Sequence, residues 1–139
     1  MSSLRHVLLV DDDPDHILLA SHAIQRGSPA TEIDSVRDGE SAIEYLRSTA
    51  TDASRARPEL VVLDLNLPRM HGLDVLRAMK GDAQLKDIPV VVMSSQLRQE
   101  DALRAHQLGA TAVLSKSAGP EAFSDALGTL GIAGSGPLR

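Results

Sequence analysis

HVLLVDDDPDHILLASHAIQRG, residues 6–27, changes pattern abruptly in its middle. Val7–Val10 make a short apolar run, the pattern of a strand buried on both faces of a parallel sheet. Beyond Pro14, the residues Ile17, Leu18, Ala20, Ala23 and Ile24 recur at helical spacing, and Gly27 is a natural stop. A strand therefore feeds a helix, and the joint between them carries Asp11, Asp12 and Asp13 in a row. Like charges about 4 Å apart repel by roughly 4 kcal/mol at an effective dielectric near 20. Such a joint calls for a cation.

The same alternation continues along the chain. TEIDSV (31–36) is a shorter, more polar strand candidate, followed by a helix in which Ala42, Ile43 and Leu46 share a face. The polar loop DASRARP (52–58) leads to ELVVLDL (59–65), the most apolar strand, and then to a helix carrying Leu73, Val75, Leu76 and Met79. VVVMSS (90–95), EDALRAHQLGA (100–110), TAVLSK (111–116) and GPEAFSDALGTL (119–130) complete five strand–helix units. Right-handed crossovers place the helices of such a series on both faces of a parallel sheet. The expected fold is a flavodoxin-like doubly wound (βα)5 sandwich with strand order 2-1-3-4-5. All strands but the second end in polar residues: Asp11–Asp13, Asp64, Ser94 with Ser95, and Lys116. That edge of an open α/β sheet is where ligands bind. Strands one and three are neighbours in this order, so Asp12 and Asp64 face each other. Carboxylate oxygens without cysteine select a hard cation such as Mg²⁺, which takes one or two carboxylates together with water and phosphate oxygens.

Composition bounds the rest. The chain has 139 residues, 42% of them apolar and 24% charged, as expected of one globular domain. A net charge of −5 argues against a sequence-independent grip on nucleic acid. With no cysteine there is no disulfide or thiol chemistry. No apolar stretch approaches the roughly 20 residues of a membrane span, and the amino end lacks a signal-peptide pattern, so the expected location is cytoplasmic. One domain over 1–131 and a Gly- and Pro-rich flexible tail over 132–139 are expected, with no attached output domain. His6, His16, His22, His71 and His106 are too scattered to suggest a metal cluster, and Met70, Met79 and Met93 read as core filler.

VLLVDDDPD, LVVLDLNLPRMHGLDVL, IPVVVMSS and TAVLSK together resemble the signature segments of the response-regulator receiver domain of two-component signalling, over about residues 5–130. The chain is most similar to the small stand-alone regulators that serve bacterial phytochromes. The resemblance implies that Asp64 accepts a phosphoryl group and that Asp12 binds Mg²⁺ directly. It implies that Asp11 acts on the metal through water, and that Asp64 and the main-chain carbonyl of Asn66 complete the shell. Lys116 and the Ser94 hydroxyl then contact the phosphoryl oxygens, with Ser95 a competing hydroxyl, while Asn66 and Gln96 set the lifetime of the phosphate. Asp13 is read as a helix cap, and Pro68 and Gly72 as shaping the backbone. Implied partners are a sensor histidine kinase, a histidine phosphotransfer protein, and a second copy through the face of the fourth helix, fifth strand and fifth helix, to which Leu103, Ala110 and Val113 contribute.

Two positions depart from the family pattern. Ser117 follows the lysine where proline is usual, so a different path is expected there, and Val113 replaces a common aromatic. The alternatives are a haloacid-dehalogenase-like phosphatase using Asp11 and Asp13 as a D-x-D pair, and a degenerate receiver that binds partners without phosphorylation.

Overall fold

Residues 5–52, 54 and 56–129 are described by the computed structural model. The elements alternate as β1 (His6–Val10), α1 (Pro14–Gly27), β2 (Glu32–Val36), α2 (Gly39–Thr51), β3 (Leu60–Asp64), α3 (Gly72–Lys80), β4 (Val90–Ser94), α4 (Gln99–Leu108), β5 (Ala112–Ser115) and α5 (Gly119–Thr129). A short 3₁₀ turn, Lys116–Ala118, joins the last two. The five strands are parallel in the order β2-β1-β3-β4-β5, as the alternation predicted. The expected tail over 132–139 lies outside the described residues.

Strand alternation sorts the apolar side chains into two layers. Leu8, Val10, Val61, Leu63, Val90 and Val92 pack with residues of α2 and α3 on one face. Val7, Leu9, Leu60, Val62, Val91 and Met93 pack on the other with Ala20 and Ile24 of α1 and Phe123 and Leu127 of α5. The central strands β1, β3 and β4 are buried along their whole length. At the edge, β2 is polar and half exposed, which explains its weak apolar signal. His6 ties the start of β1 to this edge: its Nε2 lies 3.0 Å from Asp34 Oδ2 and 2.9 Å from Tyr45 Oη.

Local chemistry fixes the helix starts. Asp13 accepts from the Asp15 N–H at 3.0 Å and Pro14 follows in the first turn, so the cap read from sequence is present. Asp38 caps α2 through the Ser41 N–H at 2.7 Å, and His71 Nδ1 caps α3 through the Leu73 N–H at 3.1 Å. After Lys116 the chain turns without proline, and no peptide among the described residues is cis. The Ser115 hydroxyl accepts from the Ser117 N–H at 3.2 Å, which closes this turn. Of the three residues expected on a pairing face, Leu103 is 59% exposed, whereas Ala110 and Val113 are partly buried against the core.

Gly72 is where backbone shape matters most. Its N–H donates to the Leu65 carbonyl at 2.9 Å, folding the β3–α3 loop back on its own strand. A Cβ at this position would overlap the Asp64 carbonyl oxygen and lie 2.6 Å from Leu65 Cα, main-chain atoms that cannot step aside. Gly72→Ala is expected to destabilise the fold by about 2–4 kcal/mol, read as a lower urea midpoint with little change in slope.

Candidate functional site

The sheet brings four of the predicted residues together at its carboxyl edge. Asp11, Asp12 and Asp64 each offer a carboxylate oxygen, and these atoms lie within 4.8 Å of one another. Asp11 and Asp64 are each 3% exposed, while Asp12 is open to solvent. The Lys116 ammonium bridges the buried pair, with Nζ 3.0 Å from Asp11 Oδ2 and 3.3 Å from Asp64 Oδ2. Alternation explains the convergence. Val10 and Leu63 face the α2–α3 layer, so the next residues, Asp11 and Asp64, turn toward α1 and α5. Lys116, two residues beyond Leu114 of the other layer, has the same parity.

Main-chain donors hold both carboxylates. Asp11 Oδ1 accepts from the Asp13 N–H at 2.9 Å, and Asp64 Oδ1 accepts from the Asn66 N–H at 3.0 Å. His16 contributes a contact that the sequence reading missed: its Nδ1 meets Asp11 Oδ2, the oxygen that Lys116 also holds. Burial pushes the Asp64 carboxyl up, and the charge on Asp11 adds to this, outweighing the Asn66 N–H and Lys116. Burial acts the same way on Asp11, but the hydrogen bonds from His16, Asp13 and Lys116 prevail and hold its carboxyl below the ordinary aspartate range. Burial alone would lower Lys116, yet its two carboxylate partners raise it. The site thus keeps Lys116 charged and concentrates excess negative charge between Asp11 and Asp64. Three carboxylates against one ammonium, with only oxygen donors, fit a hard divalent cation.

Ser94 lies on the opposite face of the sheet. Met93 belongs to the α1–α5 layer, so Ser94 turns toward α3 and α4. It is 1% exposed, and its hydroxyl donates to Asn66 Oδ1 at 2.7 Å while accepting from the Gln96 N–H at 3.2 Å. Ser95, the competing hydroxyl, is exposed, as is Gln96. Arg69 in the neighbouring loop has φ 65°, rare for a residue with a side chain. Its guanidinium reaches Asp38 at 3.5 Å and Glu40 at 3.6 Å, joining this loop to the start of α2. The D-x-D alternative gains no support, because Asp13 is exposed and spends its carboxylate on the α1 cap.

A buried aspartate at the end of β3, an acidic pair at the end of β1, a lysine after β5 and a hydroxyl ending β4 define a receiver. Residues 7–128 match the response regulator receiver domain, and the chain belongs to that family. Among curated relatives it is 35% identical over 119 residues to the "Probable methanogenesis regulatory protein FilR2" of Methanothrix harundinacea, covering 86% of this chain and 74% of that protein. It is 32% identical over 111 residues to the response regulator Rcp1 of Synechocystis, covering 80% and 76%. Among solved structures, the phosphorylated cyanobacterial phytochrome response regulator RcpA superposes with a TM-score of 0.78 at 35% identity over 91% of each chain. The bacteriophytochrome response regulator AtBRR gives 0.75 at 35% identity over 94% of each. The Mn²⁺-bound form of Rcp1 gives 0.76 at 30% identity, covering 89% of this chain and 90% of that one.

The Asp64 carboxyl, raised in the folded state, binds protons more readily there than in the unfolded chain. Its contribution to stability is therefore full below the ordinary aspartate range and is lost as pH rises through its folded value. Asp64→Asn is accordingly expected to stabilise the metal-free protein at neutral pH, with the gain vanishing in acid. Urea unfolding of both proteins across pH measures it, and a gain that persists in acid would contradict the assignment of repulsion.

Proposed function

We propose that this receiver takes a phosphoryl group from a sensor histidine kinase onto Asp64 in the presence of Mg²⁺. The observation that carries this reading is the meeting of buried Asp64 with Lys116 at 3.3 Å and with Asp11 and Asp12 inside a 4.8 Å cluster. An Asp64 carboxylate oxygen attacks phosphorus, forming the O–P bond as the donor's P–N bond breaks. Asp12, Asp64 and the Asn66 carbonyl, with Asp11 acting through water, would hold Mg²⁺, which would supply neutralising charge to the phosphoryl oxygens. Lys116 exchanges its bond to Asp64 for one to a phosphoryl oxygen, and the Ser94 hydroxyl moves in to donate a second. New contacts made in only one state are what bias a two-state element. Asn66 and Gln96, each two residues beyond a reacting side chain, steer the water that later hydrolyses the acyl phosphate.

The likeness to RcpA, Rcp1 and AtBRR supports a phytochrome-class kinase as the donor and light as the signal. No helix among the described residues is long and apolar enough to cross a membrane, in keeping with a cytoplasmic setting. Signalling then proceeds by protein contact or by passing the phosphate to a histidine phosphotransfer protein. Exposed Leu103 on α4 is the residue offered for pairing through α4, β5 and α5. A sedimentation coefficient that stays at the monomer value at every concentration would remove that dimer.

Incubation with Mg²⁺ and acetyl phosphate, followed by intact mass measurement, is expected to give a single phosphoryl adduct that needs the metal and is absent in Asp64→Asn. Metal binding without any adduct, from either this donor or a phosphorylated kinase, would instead favour a receiver that binds partners without phosphorylation. The adduct is expected to decay at a changed rate, by severalfold, in Asn66→Ala and in Gln96→Ala. Unchanged decay in both would remove these residues from hydrolysis.

A further inference from the structure

We infer that the side-chain amide of Asn66 is a positioning residue for Ser94, holding its hydroxyl on the far side of the sheet until a phosphoryl group arriving at Asp64 claims it. This rests on Asp64 being the phosphoacceptor. Ser94 has one hydroxyl proton, and it is committed to Asn66 Oδ1 at 2.7 Å. The oxygen is also engaged, by the Gln96 N–H at 3.2 Å. Strand parity aims Ser94 toward α3 and α4, while Asp64 and Lys116 lie toward α1 and α5. The proton cannot serve Asn66 and a phosphoryl oxygen at once, so engaging phosphate requires release of the amide.

The strength of this latch follows from exposure. Asn66 is open to solvent, so water replaces the hydroxyl at its Oδ1 once the bond breaks. The latch is therefore worth no more than one net hydrogen bond, about three- to tenfold in an equilibrium. A hydrogen bond to an anionic phosphoryl oxygen is about twice as strong as a neutral one and overcomes it. Asn66 also donates its own N–H to Asp64 Oδ1 at 3.0 Å, so one residue touches both the acceptor and the switch hydroxyl. Its side chain is released only after Ser94 has moved, which delays any part it takes in hydrolysis until the switch has been thrown.

Alanine at 66 removes the amide but keeps the main-chain N–H on Asp64 and the main-chain carbonyl. Initial rates of adduct formation with acetyl phosphate and Mg²⁺ should rise about three- to tenfold in Asn66→Ala. The same substitution should change the rate by less than about twofold in a Ser94→Ala background, and Ser94→Thr, which keeps the hydroxyl, should restore the difference. Equal factors in the two backgrounds, or no acceleration, would overturn the latch. In the metal-free protein, Ser94→Ala should shift the NMR signals of the Asn66 side-chain amide and the Gln96 main-chain amide. Adding beryllofluoride and Mg²⁺ to wild type should move the Asn66 amide toward the same position. An adduct on wild type with unmoved amides would overturn the latch alone, whereas no adduct and no beryllofluoride response would remove the phosphoacceptor reading and the latch with it.

Discussion

Asp11 follows β1 and Asp64 ends the neighbouring β3, each almost wholly buried, and two such carboxylates stay ionised together only if a cation lies between them. Lys116 is that cation, at 3.0 and 3.3 Å from the pair. Much of the fold can be understood as the means of placing it. A parallel sheet brings every carboxyl end to one edge, and strand order sets β1 beside β3. Lys116 enters from beyond β5, two strands away from β3, so its long side chain must span the end of β4. The capped turn at Ser115 and Ser117 fixes where that span begins.

The arrangement is poised because its charges do not balance. Burial raises Asp64 and so favours its neutral form, while His16, Asp13 and Lys116 draw Asp11 the other way. A divalent cation entering beside Asp12 would relieve the excess and leave Asp64 ionised, the form that the proposed phosphoryl transfer requires. Under the proposed function, affinity for metal and reactivity of Asp64 derive from one electrostatic conflict.

Most of this was legible in the sequence, because period-two burial and polar strand ends are local signals. Asp64, Asp12 and Lys116 could be placed from strand ends alone, and Asp13 from its place before Pro14. His16 was missed because histidines were weighed as a possible metal cluster. It stands four and eight residues before Ala20 and Ile24, on the buried stripe of α1, and that spacing was a usable sign. Ala110 and Val113, assigned with Leu103 to a pairing face, are partly buried against the core, Val113 beside Val92 in the β4–β5 register. The contact between Ser94 and Asn66 had no local sign at all, since it joins residues 28 positions apart through sheet geometry.

The two-sided sorting of side chains also limits how such a chain can change in length. Asp64 and Lys116 face one layer and Ser94 faces the other, by the count of residues along each strand. Deleting one residue within β3 would turn Asp64 to the wrong face, and one within β4 would do the same to Ser94. Conservative apolar exchanges within these strands leave that count untouched. A change in length in the connections at the opposite end of the sheet, such as the one from α2 to β3, alters no parity. The carboxyl edge is thus set by arithmetic along each strand, and the connections at the far edge are not bound by it.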